Sequence, residues 1–102
     1  MIARVWNGAT RADDGERYAE YLEQSGMTTA RDLAGVRGTL VLRREHEGRA
    51  EFQTILLFDS IEDVTAFAGE QHERAVFFPE DDAYLVERDL EVRHYDVDLR
   101  LD

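Results

Sequence analysis

The chain is predicted to be an α+β domain by three observations. Apolar alternation marks four extended segments, and two further segments repeat their apolar residues at helical spacing. The two kinds follow one another as β-α-β-β-α-β. That order is the ferredoxin-like split βαβ arrangement, a four-stranded antiparallel sheet with both helices on one face. The length of 102 residues suits one domain spanning 1–102, and no repeat, linker or low-complexity tract divides it.

"MIARVW" (Met1–Trp6) alternates, carries branched and aromatic residues, and reads as the first strand. "NGATRADDGE" supplies turn residues and then helix-start signals. From Asp14 to Ser25, Tyr18, Tyr21 and Leu22 fall at i, i+3 and i+4 on one helical face. At least one tyrosine should therefore face the core. Gly26 is read as the stop, because glycine adopts the left-handed conformation without a Cβ clash. "MTTARDLAG" is a connector. "GVRGTLVLRRE" and "RAEFQTILLFD" flank the turn "HEG" and read as an antiparallel hairpin. In "SIEDVTAFAG", Ser60 is the N-cap and Ile61, Val64, Phe67 and Ala68 keep helical spacing up to Gly69. "EQHERAVFFPEDDAYLVE" is read as a turn or two of irregular helix. Pro79 is expected to open a short helix through Leu85, and "RDLEVRHYDVDLRL" to form the last strand.

The strands carry apolar residues on both faces. Phe52, Leu56 and Phe58 oppose Ile55 and Leu57; Val36, Leu40 and Leu42 oppose Val41; Leu90 and Val92 oppose Tyr95, Val97 and Leu99. A sheet with helices on one side and water on the other alternates more cleanly. The second face is therefore expected to be covered by a second copy, giving a homodimer through the sheet face.

Composition narrows the function classes. The net charge is −11, and the longest basic run is Arg43-Arg44, which argues against nucleic acid. No apolar run approaches the ~20 residues of a membrane span. "MIARVWNG" reads as a strand rather than a signal peptide, and the chain has no cysteine, so the expected address is cytoplasmic. The acidity is read as a surface property. No two histidines are close in sequence, and the acidic run Glu80–Asp82 sits at a helix start, where carboxylates complement the dipole; no metal site is expected. Phosphate loops, nucleotide fingerprints and Ser–His–Asp signatures are absent from the sequence.

Nearly the whole chain resembles the antibiotic biosynthesis monooxygenase domain family of dimeric α+β barrel proteins. "MIARVWNG", "FQTILLFDSIEDVTAFAG", "ERAVFFPED" and "VRHYDV" carry the resemblance. It implies a dimeric α/β barrel and three kinds of activity. Some relatives are cofactor-independent monooxygenases that oxidise polyketide aromatics held between sheet and helices, some degrade haem, and many have no known reaction. The haem-degrading branch uses an asparagine ending the first strand, a tryptophan in the second helix and, further on, an axial histidine. Asn7 matches the first, but Phe67 and Phe77 stand where the tryptophan and histidine belong, and His72 comes too early. Phenylalanine cannot ligate iron, so haem degradation ranks last.

Cofactor-free oxygenation needs a substrate that ionises, a base and a dry pocket. The candidate pocket residues are Trp6, Asn7, Tyr18, Phe67, His72, Phe77, Phe78 and Tyr95, with His72 as the base and no cofactor. Each also has a plain reading. Trp6 and the phenylalanines fill a core, Asn7-Gly8 is a turn signal, and the polar neighbours of His72 favour solvent. His46 falls in the hairpin loop, while His94 alternates with Tyr95 and is placed at the dimer interface. The leading expectation is a cofactor-independent monooxygenase-like protein acting on a small aromatic or polyketide-like molecule. The alternative is a non-catalytic dimer that binds a small ligand or serves in stress. The two differ in whether an ionisable base lines the pocket.

Overall fold

The computed structural model describes all 102 residues. Its strands are β1 (Ile2–Arg11), β2 (Val36–His46), β3 (Arg49–Phe58), β4 (Leu85–Arg88) and β5 (Arg93–Asp96). The helices are α1 (Gly15–Gln24), α2 (Gly26–Arg31) and α3 (Ile61–Ala68). The sheet order is β2-β3-β1-β4, with β5 also on β1. β5 pairs Ile2 to Val5 and β4 pairs Gly8 to Thr10, so the two are halves of one interrupted strand. Every pairing is antiparallel, and the fold is the ferredoxin-like α+β arrangement.

Several boundaries differ from the sequence expectation. β1 runs on to Arg11 because Asn7 and Gly8, expected to turn, pair with Gln53 and Phe52 instead. Gly8 suits this place for another reason: a Cβ there would come within 2.3 Å of the Trp6 ring folded over it. Gly26 does not stop the helix. The break falls at Ser25 (φ −121°, ψ −118°), and Gly26 opens α2 within the expected connector. Pro79–Ala83 is a 3-10 turn rather than a helix to Leu85. Residues 70–78 form no helix; Arg74 bridges Glu91, with Ala75 N–H donating to Leu90 O (2.9 Å) and Val92 N–H to Glu73 O (2.7 Å). This detour interrupts the last strand, since residues 89–92 turn to meet 73–75. Ser60 does cap α3, accepting from Asp63 N–H at 3.3 Å.

Cross-strand partners share a face, so the register assigns every side chain. Arg4 pairs with Leu56 and His94, and Trp6 with Thr54; these lie on the helix side with Phe52 and Phe58. A register shift after Val36 puts that residue on the helix side opposite Phe58, away from the face of Leu40 and Leu42. The core has two parts. Tyr18, Leu22, Ala50 and Phe52 form one, and Ala30, Leu56, Phe58 and Val64 form the other; Met27 packs against both. The opposite face carries Ala3, Val5, Asn7, Leu40, Leu42, Gln53, Ile55, Leu57 and Tyr95, and Leu40, Leu42 and Tyr95 are exposed.

Candidate functional site

The seam between the two core clusters holds a small cavity of about 90 Å³. Trp6, Tyr18, Leu22, Met27, Phe67 and Phe77 line it, with Arg4 and Thr54 on its sheet side. Met27 and Phe67 also line an apolar groove of about 450 Å³, whose other walls include Tyr21, Leu56 and Phe78. Cavity and groove therefore adjoin across these two residues. Phe78 is exposed at the groove, where an aromatic face can meet a ligand.

Local structure explains each wall. Trp6 projects from β1 over Gly8, and its indole N–H donates to Asp89 O at 2.8 Å. That bond is available because the last strand leaves β1 at residue 89. Phe77 meets Trp6 edge-on at 6.1 Å, and Arg88 lies over the Phe77 ring at 4.8 Å. Tyr18 is buried against Phe52 (5.0 Å, edge-on), and its hydroxyl faces the buried Asp81 carboxylate at 3.4 Å. Asp81 also accepts from Phe78 N–H at 2.8 Å, so one member of the acidic run caps the 3-10 turn. Burial, reinforced by Asp81, pushes the Tyr18 phenol far above its ordinary value. The Tyr21 phenol is pushed up for the same first reason, and its hydroxyl is buried without a hydrogen-bond partner. Both are donors at neutral pH, and neither serves as a base.

Arg4 is the charged group of the cavity. It is 4% exposed, and its guanidinium donates to the carbonyls of His72 and Arg74 (3.0 Å for the latter) and to His94 Nε2 at 3.1 Å. It also lies 5.6 Å from the centre of the Phe67 ring. Burial pulls its pKa down to about 10, with Glu73 opposing, so it stays protonated at neutral pH. Because arginine only donates, His94 Nε2 must accept, and the His94 proton sits on Nδ1. Burial, then Arg4 and then His72 lower the His94 pKa, against a weaker opposing pull from Glu73.

The sequence candidates are thus divided. Trp6, Tyr18, Phe67 and Phe77 meet at the cavity, and Phe78 joins at the groove. Asn7 is exposed on the opposite face, where Gln53 donates to its side chain at 3.2 Å. Tyr95 shares that opposite face. The His72 ring does not line the cavity; it sits 5.4 Å from the His94 ring, with Nδ1 3.2 Å from Glu70 O and Nε2 3.3 Å from Glu73. What His72 contributes to Arg4 is its backbone carbonyl. His94 faces the helix side against Arg4, which corrects its expected place at the dimer interface. The sequence reading missed Arg4, although one signal was there: in "MIARVW" it lies two residues before Trp6 and so shares its face.

His94 gives the fold an acid sensitivity. The folded state holds the ring neutral, so the unfolded chain binds that proton more readily. The His94 contribution to stability is complete above the ordinary pKa of 6.5 and is lost as pH falls below it, until the folded ring also protonates. Urea melts at pH 7.5, 6.5 and 5.5 should show decreasing stability. His94→Gln keeps an acceptor for Arg4 and should flatten that slope; an unchanged slope would place the sensitivity elsewhere.

No family model matches the chain, and no curated protein matches it in sequence. Solved structures do match in fold. A candidate antibiotic biosynthesis monooxygenase from Bacillus cereus superposes with a TM-score of 0.67 at 13% identity, covering 99% of this chain and 96% of that one. A candidate antibiotic biosynthesis monooxygenase from Deinococcus radiodurans gives 0.69 at 14% identity, covering 100% and 97%. The haem-degrader MhuD from Mycobacterium tuberculosis, with two haems bound in its active site, gives 0.67 at 15% identity, covering 100% of both chains.

Haem does not fit the residues present here. No histidine lines the cavity or groove, His94 Nε2 is taken by Arg4, and burial holds the Tyr18 proton in place. No helix is long and apolar enough to cross a membrane. At these identities the likeness concerns architecture: the chain has the ferredoxin-like α+β fold of the antibiotic biosynthesis monooxygenase proteins.

Proposed function

We propose that the protein is a cofactor-independent, monooxygenase-like homodimer that takes a small aromatic or polyketide-like molecule into the space between sheet and helices. The observation that carries this is the aromatic lining of the cavity and groove around a single buried cation, Arg4. Rings stack on Trp6, Phe67, Phe77 and Phe78, while a positive charge in an apolar site stabilises an electron-rich anion. In the balanced reaction a substrate CH₂ and O₂ give C=O and water. Two C–H bonds and the O–O bond break, and the substrate supplies all the electrons. The chain needs to hold the ionised substrate, exclude water and leave room for O₂.

A second reading keeps the pocket without the reaction. It is favoured by the absence of a side-chain base from the cavity beside Arg4: His72 lies outside it, Tyr18 keeps its proton, and the one carboxylate of the lining, Glu80, belongs to the groove. The proton acceptor would then be solvent or the exposed Glu80 carboxylate of the groove, which limits catalysis to substrates that ionise readily. Oxygen uptake with a dihydroxyanthrone separates the two. The expected result is chelator-insensitive uptake above the rate without protein, with one O₂ consumed per quinone formed. Binding of the anthrone without faster uptake would leave the non-catalytic reading, and no binding would remove both.

A further inference from the structure

The charge on Arg4 has no counter-charge. Three charged side chains are buried: Arg4, Asp14 and Asp81. Asp14 pairs with Arg17 and Arg11, and Asp81 accepts from Phe78 N–H and faces the Tyr18 hydroxyl. Arg4 makes no ion pair, and its partners are two carbonyls and a neutral imidazole. The one carboxylate acting on it, Glu73, is an exposed side chain beside His72. A desolvated guanidinium without an anion is costly. Three of its N–H groups are used, and a guanidinium carries about five, so about two remain for a ligand.

We propose that this site selects aromatic or polyketide-like ligands bearing one negatively charged oxygen, and that Arg4 receives that oxygen. The inference rests on the cavity being the ligand site and specifies the ligand's charge. The rings would lie in the groove between Met27, Phe67 and Phe78, with the oxyanion passing Phe67 to reach the guanidinium. The carbonyls of His72 and Arg74 fix the fork, so the donors are oriented before the ligand arrives. Charge over the whole molecule works against this preference. At a net charge of −11 the protein repels anions in general, so selection for one must come from a local group.

The competing role for Arg4 is purely structural: it ties residues 72–74 to β1. Calorimetric titration with 2-naphthoate and its neutral analogue 2-naphthamide distinguishes the two roles. The wild type should bind the carboxylate at least about tenfold more tightly than the amide, the scale of one charge-assisted contact. Arg4→Gln should abolish the preference, bringing the two affinities together, and Arg4→Lys should restore part of it. Equal wild-type affinities, or a preference that survives in a folded Arg4→Gln protein, would overturn the assignment while leaving the pocket intact. If the wild type binds neither probe, the ligand site itself is wrong. Equal wild-type affinities would count against the assignment even if the variants fold poorly.

Discussion

Phe58→Ala is expected to destabilise the protein by about 3–5 kcal/mol, the usual cost of emptying a phenylalanine site in a core. The residue is 1% exposed and packs with Ala30, Leu56 and Val64. Its backbone joins three strands, pairing with Ile2 of β1 and Val36 of β2 from β3. The surroundings cannot easily collapse into the space, because two paired strands and α3 hold them apart. For a domain of this size the loss is a large fraction of a total stability of roughly 5–15 kcal/mol. Urea unfolding should show a lower midpoint with little change in slope. Phe78→Ala is the control. That ring is 47% exposed, so its removal should cost far less. Equal losses would mean that the core is misplaced. Phe58 also supports the site, since the Phe67 ring leans on it at 5.8 Å. Phe58→Ala should therefore weaken aromatic ligands even where the protein remains folded.

The elements legible in the sequence are those whose signals are local. Ser60 followed by Ile61, Val64 and Phe67 holds both a cap and a face, and α3 forms over Ile61–Ala68. The hairpin around "HEG" needs only a short turn, and β2 and β3 pair along their length. Where local signals compete with long-range pairing, the pairing wins. Asn7-Gly8 has turn chemistry, yet Gln53 and Phe52 on one side and Arg88 on the other extend β1 through it. The detour of residues 89–92 toward 73–75 depends on segments far apart in sequence, which periodicity cannot register.

The apolar walls of the cavity were legible in the sequence. Trp6, Tyr18, Phe67 and Phe77 follow from aromatic residues on the inner faces of β1, α1 and α3 and in the segment after α3. The charged side of the cavity was not. His72 draws attention as a titratable residue, but its contribution to Arg4 is a carbonyl, a group every residue has. Arg4 and His94 become neighbours only through the pairing of β1 with β5. The reading of Asn7 and Tyr95 as pocket residues failed on parity, because each lies an odd number of positions from an inner-face residue of its own strand, Trp6 and His94 respectively.

Leu40→Asp with Leu42→Asp is expected to convert the proposed dimer into a folded monomer, lowering dimer affinity by more than about a hundredfold. The register forms rows on the uncovered face: Leu40, Ile55 and Val5 in one, Leu57, Ala3 and Tyr95 in the next. Leu40 is 51% exposed, Leu42 45% and Tyr95 49%, an arrangement that favours contact with a second sheet. Two-fold packing would bring both copies' substituted residues into one apolar layer, so four carboxylates would lose water near one another. The same side chains touch neither core cluster, so folding of the single chain should survive. Light scattering should give twice the chain mass of 11.8 kDa for the wild type at micromolar concentration and the single mass for the variant, with matching circular dichroism. A wild-type monomer would refute pairing through this face. A variant that remains dimeric would move the contact elsewhere. The Arg4 site lies on the opposite side of the sheet, so the monomeric variant should still prefer 2-naphthoate over 2-naphthamide, which makes ligand charge selection separable from assembly.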